Sequence, residues 1–119
     1  MDDEAPGETA RETVRETAGD DLPWHLLIHT PGPNADPAVP FWTAEWFPGH
    51  RGFHAHLQQL DYFVAAGPLP GREGAGQTLV RGVSTEEITR LASETDPAVV
   101  GGFLVVQVVP WDVVESIIE

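Results

Sequence analysis

The run PWHLLIHT, residues 23–30, alternates with a period of two. Trp24, Leu26 and Ile28 fall on one face and His25, Leu27 and His29 on the other, which predicts a first strand. Residues 31–40 carry four prolines, which excludes regular structure there. Pro48 and Gly49 break the segment that follows, so a helix is expected over residues 50–60. Its stripe is Phe53, Leu57 and Leu60, and His50 and His54 extend it at intervals of three and four. After Asp61, YFVAAGP predicts a short strand ending at Gly67-Pro68. LPGREGAG is a glycine-rich loop, and QTLVRGV the next strand. Ser84 and Glu87 have the spacing of a capping box, opening a helix with the stripe Ile88, Leu91, Ala92 and Thr95 that Asp96-Pro97 ends. GFLVVQVVPW, nearly all apolar, predicts a last strand buried on both faces. The order β-α-β-β-α-β is that of a ferredoxin-like split unit, in the α+β class. A sheet with two helices on one face needs cover on the other, and a chain this short gains it most simply by pairing with a second copy.

Composition changes this picture at the N-terminus. Of the 119 residues, 19 are acidic and 6 basic, a formal charge of −13. Residues 1–21 hold eight of the acids and two arginines, with almost no large apolar side chain. They read as an acidic, disordered tail, so the folded domain is expected over residues 22–119. The N-terminus is acidic where a signal peptide is basic, and no apolar run reaches the roughly 18–20 residues that span a bilayer. The expectation is a cytoplasmic protein with no membrane partner. The acidic balance argues against nucleic acid as a partner, because no basic patch replaces phosphate counterions. With no cysteine, disulfides and thiolate chemistry are excluded; with no lysine, Schiff-base chemistry is excluded too.

Histidine is then the main candidate for chemistry near neutral pH. His50 lies in the first turn of its predicted helix and points by periodicity toward the sheet. On spacing alone it better suits a partly buried helix-start histidine satisfied by a backbone carbonyl. His50 and His54 have the i,i+4 spacing of a metal pair, with His25 and His29 on the first strand as further nitrogen donors. Position 51 is arginine, however, so there is no HExxH pattern, and no metal site is assigned. Asp96 reads as a stop signal before proline, at a helix end where a carboxylate is mildly unfavourable. The aromatic residues Phe41, Trp42, Trp46, Phe47 and Phe53 suit either an apolar pocket for a ring-shaped ligand or simple core and interface packing. GREGAG lacks the lysine and spacing of a phosphate loop.

HRGFHAHLQQLDYFVAAGPLP from His50, the glycine-rich loop, STEEITRLASETDP and the final VVPW together resemble the YCII-related (YciI-like) family, over about Trp24 to Trp111. His50 stands seventeen residues before the glycine of Gly67-Pro68, as the helix histidine of that family does, and its Asp-Pro matches Asp96-Pro97. The chain departs from the pattern at Asp61, where a glycine is usual, and in the long aromatic loop 31–47. The resemblance implies a dimeric α+β barrel, related to muconolactone isomerase and small cofactor-free monooxygenases, with a histidine–aspartate pair that maps to His50 and Asp96. On this basis the expectation is a bacterial, homodimeric, cofactor-independent lyase, isomerase or dehydratase acting on a cyclic or aromatic organic substrate. His50 and Asp96 would be catalytic, and Arg51, His29, His54, Trp42, Trp46 and Phe53 would bind substrate. The alternatives are a non-catalytic ligand-binding or accessory dimer of the same fold, and a monooxygenase-like use of it.

Overall fold

A computed structural model of the chain describes residues 22–118, so the expected acidic tail lies outside the described residues. The elements run β1 (Trp24–Pro31), a 3-10 turn (Phe41–Thr43), α1 (Phe47–Gln59), β2 (Phe63–Pro68), β3 (Gly76–Val80), α2 (Thr85–Glu94), α3 (Pro97–Val100) and β4 (Leu104–Trp111). The strands form one antiparallel sheet in the order β2-β3-β1-β4, a mixed α+β architecture with three helices.

Leu27 of β1 and Val80 of β3 point to the helices, where they meet Phe53 and Leu57 of α1 and Ile88, Leu91 and Ala92 of α2 in the main hydrophobic cluster. The inward face of β1 is therefore His25, Leu27 and His29, all buried, while the more apolar Trp24, Leu26 and Ile28 turn away from the helices. This inversion follows from strand parity, since each of the two faces takes every second residue.

Three expectations change. Pro48 does not break α1. It sits in the first turn, where its missing N–H interrupts no helical bond, so the helix starts at Phe47. Asp96-Pro97 does end α2, but Asp96 also begins α3. Its Oδ1 accepts the Ala98 N–H at 3.0 Å as an N-cap, a helix end where a carboxylate is favourable. Finally, β4 is not buried on both faces. It is an edge strand whose Leu104, Val106 and Val108 face inward, while Val105 is 49% exposed and Gln107 and Trp111 also meet solvent.

The ends of the helices follow local rules. Ser84 accepts the Glu87 N–H at 3.1 Å, as its capping-box spacing predicts, although the Glu87 carboxylate turns to Arg90 on the surface. α1 closes with the Tyr62 N–H on the Leu57 carbonyl and the Asp61 N–H on Gln58, a Schellman arrangement. Asp61 occupies its left-handed position, φ 68°, a conformation that glycine adopts without strain.

The loop 31–47 is tied down at one point. Gly32 N–H donates to the Phe103 carbonyl, Asn34 N–H to the Gly102 carbonyl, and the Asn34 amide to the Gly101 carbonyl. Gly102 has φ 80°, and a Cβ there would come within 2.7 Å of Asn34 Nδ2. The clamp brings the aromatic residues of the loop beside the start of α1.

Candidate functional site

The first half of α1 lies over His29 and Thr78, the polar positions of β1 and β3. His50 and His54, one turn apart, face that region, and Phe53 between them lies over the apolar half. The result is a cluster of three imidazoles around one carboxylate. His50 Nδ1 donates to Asp96 Oδ2 at 2.7 Å, with both side chains buried. His29 Nε2 stands 3.8 Å from the same oxygen, and the His29 and His50 rings meet edge to face at 4.7 Å. His54 packs edge-on to His50 at 4.5 Å, and its Nε2 lies 3.1 Å from Thr78 Oγ1.

Asp96 is held from two sides. Oδ1 takes the Ala98 N–H, and Oδ2 takes the His50 proton. A carboxylate that caps a helix cannot swing freely, so the orientation of His50 is set by backbone. With Nδ1 occupied, Nε2 is the nitrogen left to the cavity that His50 lines.

Burial pushes His29 down to about 4, reinforced by the charge of His50 and opposed by Asp96. His54 is also pushed down to about 4, by burial first and then by the charge of His50. Both are neutral near pH 7, so an imidazolium formed on His50 faces a carboxylate and not two further cations. His29 Nε2 is buried without a hydrogen-bond partner, as is His25 Nδ1 outside the cluster, and each such group costs stability.

A cavity of about 190 Å³ opens beside the cluster. Phe41, Trp46, Phe47 and Leu104 form its apolar side; His29, His50, His54, Arg51, Gln77 and Thr78 form its polar side, and the β2–β3 glycine loop its rim. A larger cleft of about 810 Å³, between the 31–47 loop and the glycine loop, shares Phe41, Trp46 and Leu104 with it.

The expected site residues divide accordingly. His50, Asp96, His29, His54, Arg51 and Trp46 are brought together around or against the cavity. Trp42 is not: it is 64% exposed and lines the neighbouring cleft. Phe53 is not either, being 2% exposed within the main hydrophobic cluster. A helical stripe tells which residues face the sheet, not which part of the sheet each one covers. His25 lies apart from the cluster, its Nε2 2.8 Å from Thr85 Oγ1. Thr78 and Gln77 also line the cavity, and the sequence does not mark them, because a threonine or glutamine in a strand carries no signal of its own.

His29, His50 and Asp96 offer donor atoms that all lie within 4.8 Å of one another, a two-histidine, one-carboxylate set. Bonds near 2.0 Å to a tetrahedral ion put donor atoms roughly 3.3 Å apart. The 2.7 Å His50–Asp96 hydrogen bond is shorter than that, so an ion between these two groups would have to displace a well-made bond. The geometry fits a proton-sharing pair better than a ready metal cage.

No helix among the described residues is long and apolar enough to cross a membrane. Neither a protein-family model, nor a curated protein, nor a solved structure matches the chain.

Proposed function

We propose that this chain is a small cofactor-independent enzyme that uses His50 and Asp96 for acid–base chemistry, of lyase, isomerase or dehydratase type, on a cyclic or aromatic organic substrate. The observation that carries the reading is the 2.7 Å Nδ1–Oδ2 contact between two buried groups, with His50 also lining the cavity. Asp96 holds the Nδ1–H tautomer, and Nε2 takes a proton from a carbon or hydroxyl activated by the substrate's own carbonyl. Asp96 then stabilises the imidazolium until the proton is returned elsewhere on the substrate. The apolar side of the cavity excludes water and receives the ring.

The fold that goes with this reading is the ferredoxin-like unit in a YciI-like dimeric α+β barrel. It is supported by the alternation of strands and helices and by the antiparallel order β2-β3-β1-β4. The homodimer would form on the sheet face away from the helices. There Leu26 is in register with Leu79 and Val109, and Trp24 packs edge-on to Trp111 at 6.2 Å.

The experiment is a panel of cyclic ketones, lactones and phenols incubated with the full chain in D₂O, with exchange at carbon followed by proton NMR. Exchange is expected with the wild type and lost in His50→Ala and Asp96→Ala. Exchange that persists unchanged in His50→Ala contradicts the proposal.

A further inference from the structure

Charge around the cavity runs against the charge of the chain. Acidic residues outnumber basic ones by 19 to 6, yet no aspartate or glutamate lines this cavity. Arg51 does line it, from the first half of α1, and is exposed at its edge. Among the described residues its guanidinium has no ion pair and no hydrogen bond. Arg90 binds Glu87 at 2.6 Å and Arg81 lies over the Trp24 ring at 5.6 Å, whereas Arg72, in the glycine loop, lines the neighbouring cleft and not this cavity. An unpaired arginine at the edge of a pocket whose neighbouring carboxylate, Asp96, is fully buried and already bound to His50 is a cation left for a ligand.

The rest of the cavity narrows the ligand class. A dry cavity of about 150 Å³ takes one benzene ring, and this one measures about 190 Å³. Trp46, Phe41 and Leu104 supply flat apolar walls, and Trp46 is itself stacked on Phe103 at 6.3 Å with ring planes 14° apart, which fixes that wall. A single guanidinium offers two parallel N–H donors that match one planar carboxylate, whereas a dianionic phosphate draws on several cations or a cradle of amides. Thr78 Oγ1 is already engaged by His54, so the polar side holds no second cationic or hydroxyl clamp.

We propose that the cavity binds a single-ring organic carboxylate, its ring against Trp46, Phe41 and Leu104 and its carboxylate held by Arg51. This names the substrate class of the site and so rests on the acid–base reading above. In that reading Arg51 anchors the substrate with its ring next to His50 Nε2, and the anchor itself moves no proton.

The test is isothermal titration of the full chain with sodium benzoate and with benzamide, a neutral molecule of nearly the same shape. Benzoate is expected to bind about tenfold more tightly than benzamide, the usual scale of a charge-assisted bond. Arg51→Gln, a change at an exposed position, should bring benzoate down to the benzamide level and leave benzamide within about twofold of its wild-type affinity. Equal affinities for the two molecules overturn the proposal. So do benzoate binding that survives Arg51→Gln, and no benzoate binding at tens of millimolar. Inorganic sulfate that competes with benzoate at equal concentration also overturns it, since the apolar walls would then contribute nothing. Failure here leaves the His50–Asp96 reading standing, because that reading depends on exchange chemistry lost in His50→Ala. Failure of the exchange experiment with benzoate binding intact leaves a carboxylate-binding protein without acid–base turnover.

Discussion

The inward face of the sheet has two halves that differ in almost every respect. One holds Leu27 and Val80 under Phe53, Leu57, Ile88 and Leu91, essentially without solvent contact and apolar except for His25, which is buried opposite Val80 with its Nε2 on Thr85. The other, two residues along β1 and two along β3, holds His29 and Thr78 under His50, His54 and Asp96. β1, β3 and α1 supply both, with α2 adding Ile88 and Leu91 to the first and the cap of α3 adding Asp96 to the second. The apolar half lowers free energy by removing area from water. The histidine half buries polar groups, leaves His29 Nε2 unpartnered, and holds two imidazoles in a form the unfolded chain would not favour below pH 6.5. On the proposed reading, what such a patch costs in stability is offset by a preorganised proton site beside a cavity. A domain of this size supports one such patch because a contiguous apolar cluster adjoins it.

The comparison breaks most visibly in the apolar half. Leu57→Ala should cost about 3 kcal/mol of unfolding free energy, read by urea titration, and leave the imidazole signals of His50 in place. A cost below about 1 kcal/mol would show that the two halves do not divide the work in this way.

The histidine half should show itself in acid. His29 and His54 titrate near 4 in the fold and near 6.5 when free, so the unfolded chain binds protons first as pH falls. The stability they lend is whole above pH 6.5, declines through the window from 6.5 to 4, and is gone below it. His29 should account for a decline of about 3 kcal/mol, and the less buried His54 for less. His29→Leu should flatten the decline, followed by thermal unfolding across that window; an unchanged slope would place the acid sensitivity elsewhere.

The smallest effect concerns the end of the helix that both halves share. Asp61 holds a left-handed conformation with a carboxylate at a helix C-terminus, so Asp61→Gly should stabilise the chain by about 0.5–1 kcal/mol. A rise of a few degrees in the unfolding midpoint checks it.

How far the sequence revealed these two halves can be judged element by element. The period-two run at β1, the helical stripes and the Ser84 cap place themselves, since each depends on local geometry. Which face of β1 turns inward does not, because both faces carry large side chains and the choice lies with the parity of β3 and β4. The more apolar face turned out to be the one without helices. His50 was legible as a candidate from its place on the stripe, but the same stripe placed Phe53 with it. Asp96 was readable locally as a stop before proline, and the pairing with His50 came from the resemblance. Its second identity as an N-cap was in principle visible, since Asp-Pro is also how a helix begins. The contact between residues 46 positions apart follows only once α3 is in place. The edge position of β4 likewise depends on strand order, which an apolar run does not encode.

The central claim is that Asp96 holds the Nδ1 proton of His50 so that Nε2 faces the cavity as a base. Long-range proton–nitrogen NMR of the imidazoles, on the full chain labelled with nitrogen-15, reads that tautomer directly. The account predicts that neutral His50 is protonated at Nδ1 in the wild type and loses this preference in Asp96→Ala. A wild-type His50 protonated at Nε2, or one unchanged by Asp96→Ala, would contradict it.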